Sequence, residues 1–175
     1  MAFNESLGLL VVGTADGKVT AFDAADGTEL RRWEAHASSH TRSLAILDTG
    51  VLSGGMDGTL KHLKFPTAAE ELQEEPLPTL PSLFPEAAEL KELKPAHNGP
   101  VVALTPREGG LLVSGAHDGT LRVWDLASKK PRCLYGFGGY KVWLGSVTTD
   151  NKRLVADGSD NMVLVHDFSQ DPPEE

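Results

Sequence analysis

Two sets of histidine, serine and aspartate in this chain have the residue types of a nucleophilic relay. His97, Ser114 and Asp118 make one, and His36, Ser53 and Asp57 repeat it at the same offsets, 21 and 4 residues before the aspartate. In a hydrolase the histidine would take the serine proton while the carboxylate orients the imidazole. Ser114, however, follows Leu111, Leu112 and Val113 in a run that reads as a strand. A nucleophilic serine needs an exposed elbow turn and an oxyanion hole, and the sequence supplies neither.

Other chemistry is weighed the same way. His36 and His40 stand four apart, a helical spacing for one metal, but Ala37-Ser38-Ser39 between them reads as loop and no acidic third ligand follows. The glycine-rich GFGGYK at 136–141 precedes a predicted strand, so it lacks the helix N-terminus of a phosphate cradle and reads as a flexible link. Trp33 and Trp143 have no clustered aromatic neighbours and read as packing residues rather than a cation-binding cage. The expectation is no catalytic residue, no metal and no cofactor.

The elements holding these residues are clearest at 111–126, LLVSGAHDGTLRVWDL. An apolar run, an Asp118-Gly119 turn and an alternating run ending in Trp124-Asp125 spell a β-hairpin. The turn recurs at Asp16-Gly17, Asp57-Gly58 and Asp160-Asn161, at intervals of 41, 61 and 42 residues along the chain. Two of these intervals match a four-stranded repeat of about 40–45 residues. The middle one is longer because 66–94 carries an insertion with seven glutamates against Lys91 and Lys94 and with Pro66, Pro76, Pro78, Pro81 and Pro85. Runs 68–75 and 86–93 could each form a short helix, with 76–85 extended between them, and Leu90 to Leu93 reads as the outer strand that completes this repeat after the insertion. The insertion reads as an acidic docking loop or, more simply, a solvated surface loop.

Composition bounds the class. The chain has 175 residues, 40% hydrophobic and 23% charged, the balance of a folded soluble domain. Its formal net charge of −9, with no Lys/Arg cluster, argues against nucleic acid as a partner. No apolar run reaches the roughly 18 residues of a membrane span, and 1–5 lacks the charged start of a secretory leader. With Cys133 the lone cysteine, a cytoplasmic or nuclear location is expected.

These residues resemble the WD-repeat β-propeller family, marked by a histidine early in each repeat and a Trp-Asp pair near its end. The resemblance covers most of the chain outside the insertion. It implies an all-β fold of four-stranded antiparallel blades, here a partial or open propeller of about four, and a structural staple of His97, Ser114, Asp118 and Trp124. A histidine that donates to the buried aspartate and accepts from serine, with the serine taking the indole N–H, satisfies all four. The second repeat keeps His36, Ser53 and Asp57 but has Leu63 for tryptophan. The first has Val12, Asp16 and Phe22, and the fourth Ala156, Asp160 and His166, so both lean on apolar packing.

The expected segment spans 1–168: an incomplete blade at 1–34 without its inner strand, a blade at 35–94 with the insertion, a blade at 95–136, an incomplete blade at 137–168, then an acidic tail at 169–175. Fourteen strands in groups of three, four, four and three do not close a ring. The chain is therefore expected to be the C-terminal part of a larger propeller, with missing blades in a longer or complementary chain.

The resemblance implies a protein or peptide interaction scaffold, non-catalytic, presenting its loop face. Arg42, Met56, His117, Tyr140 and Lys141 are the larger loop side chains expected to reach a partner. A ubiquitin-ligase substrate receptor is an alternative, weakened because Leu126-Ala127 follow Trp124-Asp125 where such receptors carry a basic residue two places on. A propeller-based hydrolase is the alternative from another class.

Overall fold

Alternating apolar residues and left-handed turn glycines organise fifteen strands into four antiparallel sheets in the computed structural model, which describes residues 1–66, 80–84, 90–128, 130–138, 144–157 and 162–167. The first blade comprises β1 (Ala2–Asn4), β2 (Leu9–Gly13), β3 (Lys18–Asp23) and β4 (Glu29–Glu34). The second comprises β5 (Thr41–Leu47), β6 (Gly50–Gly55), β7 (Leu60–Lys64) and β8 (Leu90–Leu93). The third comprises β9 (Val101–Arg107), β10 (Leu111–Ala116), β11 (Leu121–Asp125) and β12 (Arg132–Phe137). The fourth has β13 (Val147–Thr149), β14 (Arg153–Asp157) and β15 (Val163–Asp167).

The first blade does have an inner strand, contrary to the expectation. Three residues suffice, with Ala2 opposite Val11, Phe3 opposite Leu10 and Asn4 opposite Leu9. So short a strand carries almost no alternation and cannot be read by periodicity. The inner strand of the fourth blade is Val147–Thr149.

Because side chains alternate across each sheet, every blade offers one apolar row to the blade before it and another to the blade after it. Leu9, Val11, Val19 and Ala21 of the first blade share a core with Val51 and Leu63 of the second. Leu52 and Leu60 of the second meet Leu112 and Trp124 of the third. Val113, Leu121 and Val123 of the third meet Leu154 and Ala156 of the fourth. Each fully buried leucine or valine in these rows contributes about 1.5–3 kcal/mol of transfer free energy. Among the described residues these three cores join four blades in series, and the array is open.

The insertion departs from expectation where it is described. Leu80–Leu83 forms a single 3-10 turn rather than an extended segment, whereas Leu90–Leu93 is the outer strand β8, as expected for the end of the second blade. Leu83 and Phe84 are buried in the core between the first two blades. The Phe84 ring lies 5.5 Å from Trp33 and 5.6 Å, edge-on, from Phe65. A wholly solvated loop is thus excluded for this part, while the expected helix at 68–75 lies outside the described residues. The reason is volume: Leu63 occupies the position that Trp124 fills one blade later, and the aromatic trio fills the remaining space.

Candidate functional site

The third-blade set is a continuous hydrogen-bonded chain. Trp124 Nε1 donates to Ser114 Oγ at 2.8 Å, and Ser114 Oγ lies 2.7 Å from His97 Nε2. His97 Nδ1 lies 2.9 Å from Thr120 Oγ1, whose hydroxyl donates to Asp118 Oδ1 at 2.7 Å. One assignment of protons satisfies every member: indole N–H to serine, serine O–H to Nε2, Nδ1–H to threonine, threonine O–H to carboxylate. Thr120 is the residue the sequence reading lacked. The direct histidine to aspartate bond expected there is a longer 3.4 Å approach, with threonine as the bridge.

The second blade repeats the arrangement without its indole. His36 Nε2 lies 3.0 Å from Ser53 Oγ, and His36 Nδ1 is shared between Asp57 Oδ2 at 3.2 Å and Thr59 Oγ1 at 3.1 Å. Thr59 donates to Asp57 Oδ1 through both its hydroxyl and its N–H, at 2.8 and 2.9 Å. The signal for the bridging threonine was present as a recurring Asp-Gly-Thr triplet at 57–59 and 118–120. Both imidazole nitrogens of His36 are committed to this network, so the four-residue spacing to His40 does not make a ligand pair.

Glycine at the turn is required. Gly58 has φ +77°, and a Cβ there would lie 2.4 Å from the carbonyl oxygen of His97. That closeness serves a link between blades, because the Gly58 carbonyl accepts the His97 N–H at 2.9 Å, as the Gly17 carbonyl accepts the His36 N–H at 2.9 Å. Each turn thereby positions the histidine of the next blade, which in turn bonds its own serine and turn.

Electrostatics agree with a structural role. Burial drives His97 down to about 4, with the Arg122 charge acting in the same direction and Asp118 opposing. Burial also lowers His36, against the pull of Asp57. Both imidazoles are neutral at neutral pH. Burial would raise Asp118, but the Thr120 hydroxyl, the Asn98 N–H and His97 outweigh it and keep the carboxylate ionised. Ser53 and Ser114 are buried in mid-strand, with no solvent path for a substrate carbonyl.

The end blades differ. Asp16 of the first is exposed and pairs with Lys18 Nζ at 2.7 Å, which holds its carboxyl down to about 2. In the fourth, Asp157 accepts the N–H groups of Gly145 and Ser146 at 2.9 and 2.7 Å, fastening the entry to the inner strand. Trp33 is a packing residue, as expected; Trp143 lies outside the described residues.

The loop residues divide. Antiparallel pairing of Thr41 with Gly55 and of Val101 with Ala116 puts Arg42, Met56 and His117 at the same end of the blades. Arg42 and Met56 are exposed, and His117 is partly buried. Tyr140 and Lys141 lie outside the described residues. Between the inner strands is a cavity of about 290 Å³ reached by Thr41, Ser43 and Ser146, with Arg42 the one charged side chain among its described lining residues. A single cationic side chain among hydroxyls and backbone can hold an acidic group.

Three comparisons bear on this geometry. A family model described as "WD domain, G-beta repeat" matches residues 88–125, the stretch that carries His97, Ser114, Asp118 and Trp124. Among curated proteins, the chain is 32% identical over 148 residues to a Neurospora crassa protein named Mitochondrial division protein 1, covering 75% of this chain and 22% of that one. It is 28% identical to the Schizosaccharomyces pombe protein of the same name, covering 87% of this chain and 23% of that one. The chain thus spans less than a quarter of the length of these relatives.

Solved structures extend the likeness to all four blades. The computationally designed Ika8 protein superposes with a TM-score of 0.71 at 26% identity, over 95% of this chain and 44% of that one. The designed Ika4 protein gives 0.69 at 25%, over 94% of this chain and 87% of that one. The WD40 β-propeller domain of Doa1 gives 0.68 at 16%, over 93% of this chain and 47% of that one, a likeness of fold alone.

Proposed function

Because this chain is a set of WD-repeat β-propeller blades, we propose that it is a non-catalytic protein-interaction scaffold whose partner-binding surface is the loop end carrying Arg42, Met56 and His117. WD-repeat propellers generally serve as protein-interaction scaffolds. One observation carries the reading to this chain. The two His-Ser pairs that could serve a nucleophilic relay, His36 with Ser53 and His97 with Ser114, are buried and bonded within their blades. Exposed Met56 and Arg42 at a single rigid end are instead the side-chain types that anchor interfaces.

The experiment is proximity labelling in cells with the wild-type chain and with an Arg42→Glu, Met56→Ala double variant. Partners retained by the wild type and lost by the variant, at unchanged thermal stability, are expected. A partner set indifferent to the double variant overturns the placement of the surface. A fluorophosphonate probe distinguishes the hydrolase reading, since labelling at Ser53 or Ser114 would contradict the non-catalytic assignment.

A further inference from the structure

Three turns, one from each of the second, third and fourth blades, wall a cavity of about 480 Å³ at the end of the blades opposite Arg42. β5 runs from Thr41 to Leu47, so Asp48 stands about 20 Å along the strand from Arg42. The first turn supplies Asp48 and Thr49, the second, with the end of β9, Arg107 and Glu108, and the third Asn151. A volume of this order is that of pockets that enclose small ligands.

Bonds between the turns fix the walls. Arg107 Nη2 donates to the Asn151 carbonyl oxygen, and the Glu108 N–H donates to Asn151 Oδ1 at 3.0 Å. These two bonds clamp the third blade to the fourth, with Asn151 itself at a left-handed φ of +70°. A guanidinium has five N–H donors, so the same side chain can serve the clamp and an arriving carboxylate. Thr49 Oγ1 is buried and has no hydrogen-bond partner among the described residues. Buried hydroxyls are ordinarily bonded, so this one points to a polar ligand atom beside it. The Asp48 and Glu108 carboxylates are exposed and have no ion-pair partner among the described residues. Ile46, Leu47 and Pro106 add an apolar wall.

We propose that this cavity binds a free basic amino acid, of the class of lysine or arginine. The lining carries two carboxylates and one guanidinium, and such a ligand carries the converse, two cationic nitrogens and one carboxylate. Its α-carboxylate pairs with Arg107 and the Thr49 hydroxyl, its two cations with Asp48 and Glu108, and its methylene stem lies on Ile46, Leu47 and Pro106. A purely anionic ligand would meet two like charges and a purely cationic one would meet Arg107, so charge complementarity selects a ligand of both signs. This inference does not rest on the scaffold assignment, because the cavity uses none of the residues at the loop end.

Isothermal titration calorimetry of the full chain with L-lysine, up to about 10 mM, tests it over the range in which ligands of this size bind. Saturable binding at one site is expected. Cadaverine, which lacks the carboxylate, and norleucine, which lacks the terminal cation, should each bind about tenfold more weakly or worse. Asp48→Asn with Glu108→Gln should weaken lysine binding by about tenfold as well, and should leave the melting temperature of the unliganded chain unchanged, since both side chains are exposed. Absence of saturable binding overturns the proposal. So does cadaverine or norleucine binding as tightly as lysine, or a double variant that binds lysine as the wild type does, which would put the site elsewhere. Equal binding of Nα-acetyllysine also overturns it, and would mean that the pocket takes the last residue of a polypeptide instead. The ligand series on the wild type decides even if the double variant is unstable.

Discussion

Trp124 Nε1 donates to Ser114 Oγ at 2.8 Å, and this bond completes in the third blade a polar chain that in the second stops at Ser53. The same tryptophan is also the largest fully buried side chain between the second and third blades. Its two roles separate by substitution. Trp124→Phe removes the N–H and part of the volume and should cost about 1–2 kcal/mol, whereas Trp124→Ala should cost about 3–5 kcal/mol. Urea unfolding at neutral pH measures both, and a Trp124→Phe variant as stable as the wild type would deny the bond a contribution.

Thr120 and Asp118 act as one unit. Thr120→Val keeps the shape but leaves His97 Nδ1 and Asp118 without their bridge, and Asp118→Ala removes the terminal acceptor. Each should destabilise by about 1–3 kcal/mol, and the double variant by clearly less than the sum. Additive losses in a double-mutant cycle would mean that the two side chains do not communicate.

Acid should weaken the fold through its buried imidazoles. His97 and His62 are both held at about 4 by burial, with Arg122 and Lys64 respectively adding to the effect, against 6.5 for an open imidazole. The unfolded chain binds more protons between these values, so stability is full above about 6.5 and falls as pH drops toward 4. His62 Nε2 is buried without a hydrogen-bond partner, so His62→Leu sheds the proton linkage without stranding another group. Unfolding free energies at several pH values should show a shallower slope for that variant; an unchanged slope would remove His62 from the account.

The insertion should prove to be part of the core. Phe84→Ala empties the space between Trp33 and Phe65 and should cost about 3 kcal/mol or more. Substituting the glutamates at 70, 71, 74 and 75 with glutamine should leave stability nearly unchanged. Thermal melts of the two variants check the contrast, and a Phe84→Ala melt equal to wild type would return the segment to the surface.

The sequence by itself determined the repeat. Asp-Gly turns at fixed spacing and period-two alternation are local, and a hairpin needs little beyond its own residues, so the turns and all but one strand were legible. His97, Ser114, Asp118 and Trp124 were legible for a related reason, since a buried polar group must have partners and the spacing offered these. Only the tertiary structure could decide three things. Thr59 and Thr120 became bridges because hydroxyl geometry, not residue type, selects the path from imidazole to carboxylate. Ala2–Asn4 became a strand because β2 offered a free edge, not because three residues prefer extension. Leu83 and Phe84 entered the core because Leu63 is smaller than the tryptophan at its equivalent position, a vacancy that exists only once two blades face each other.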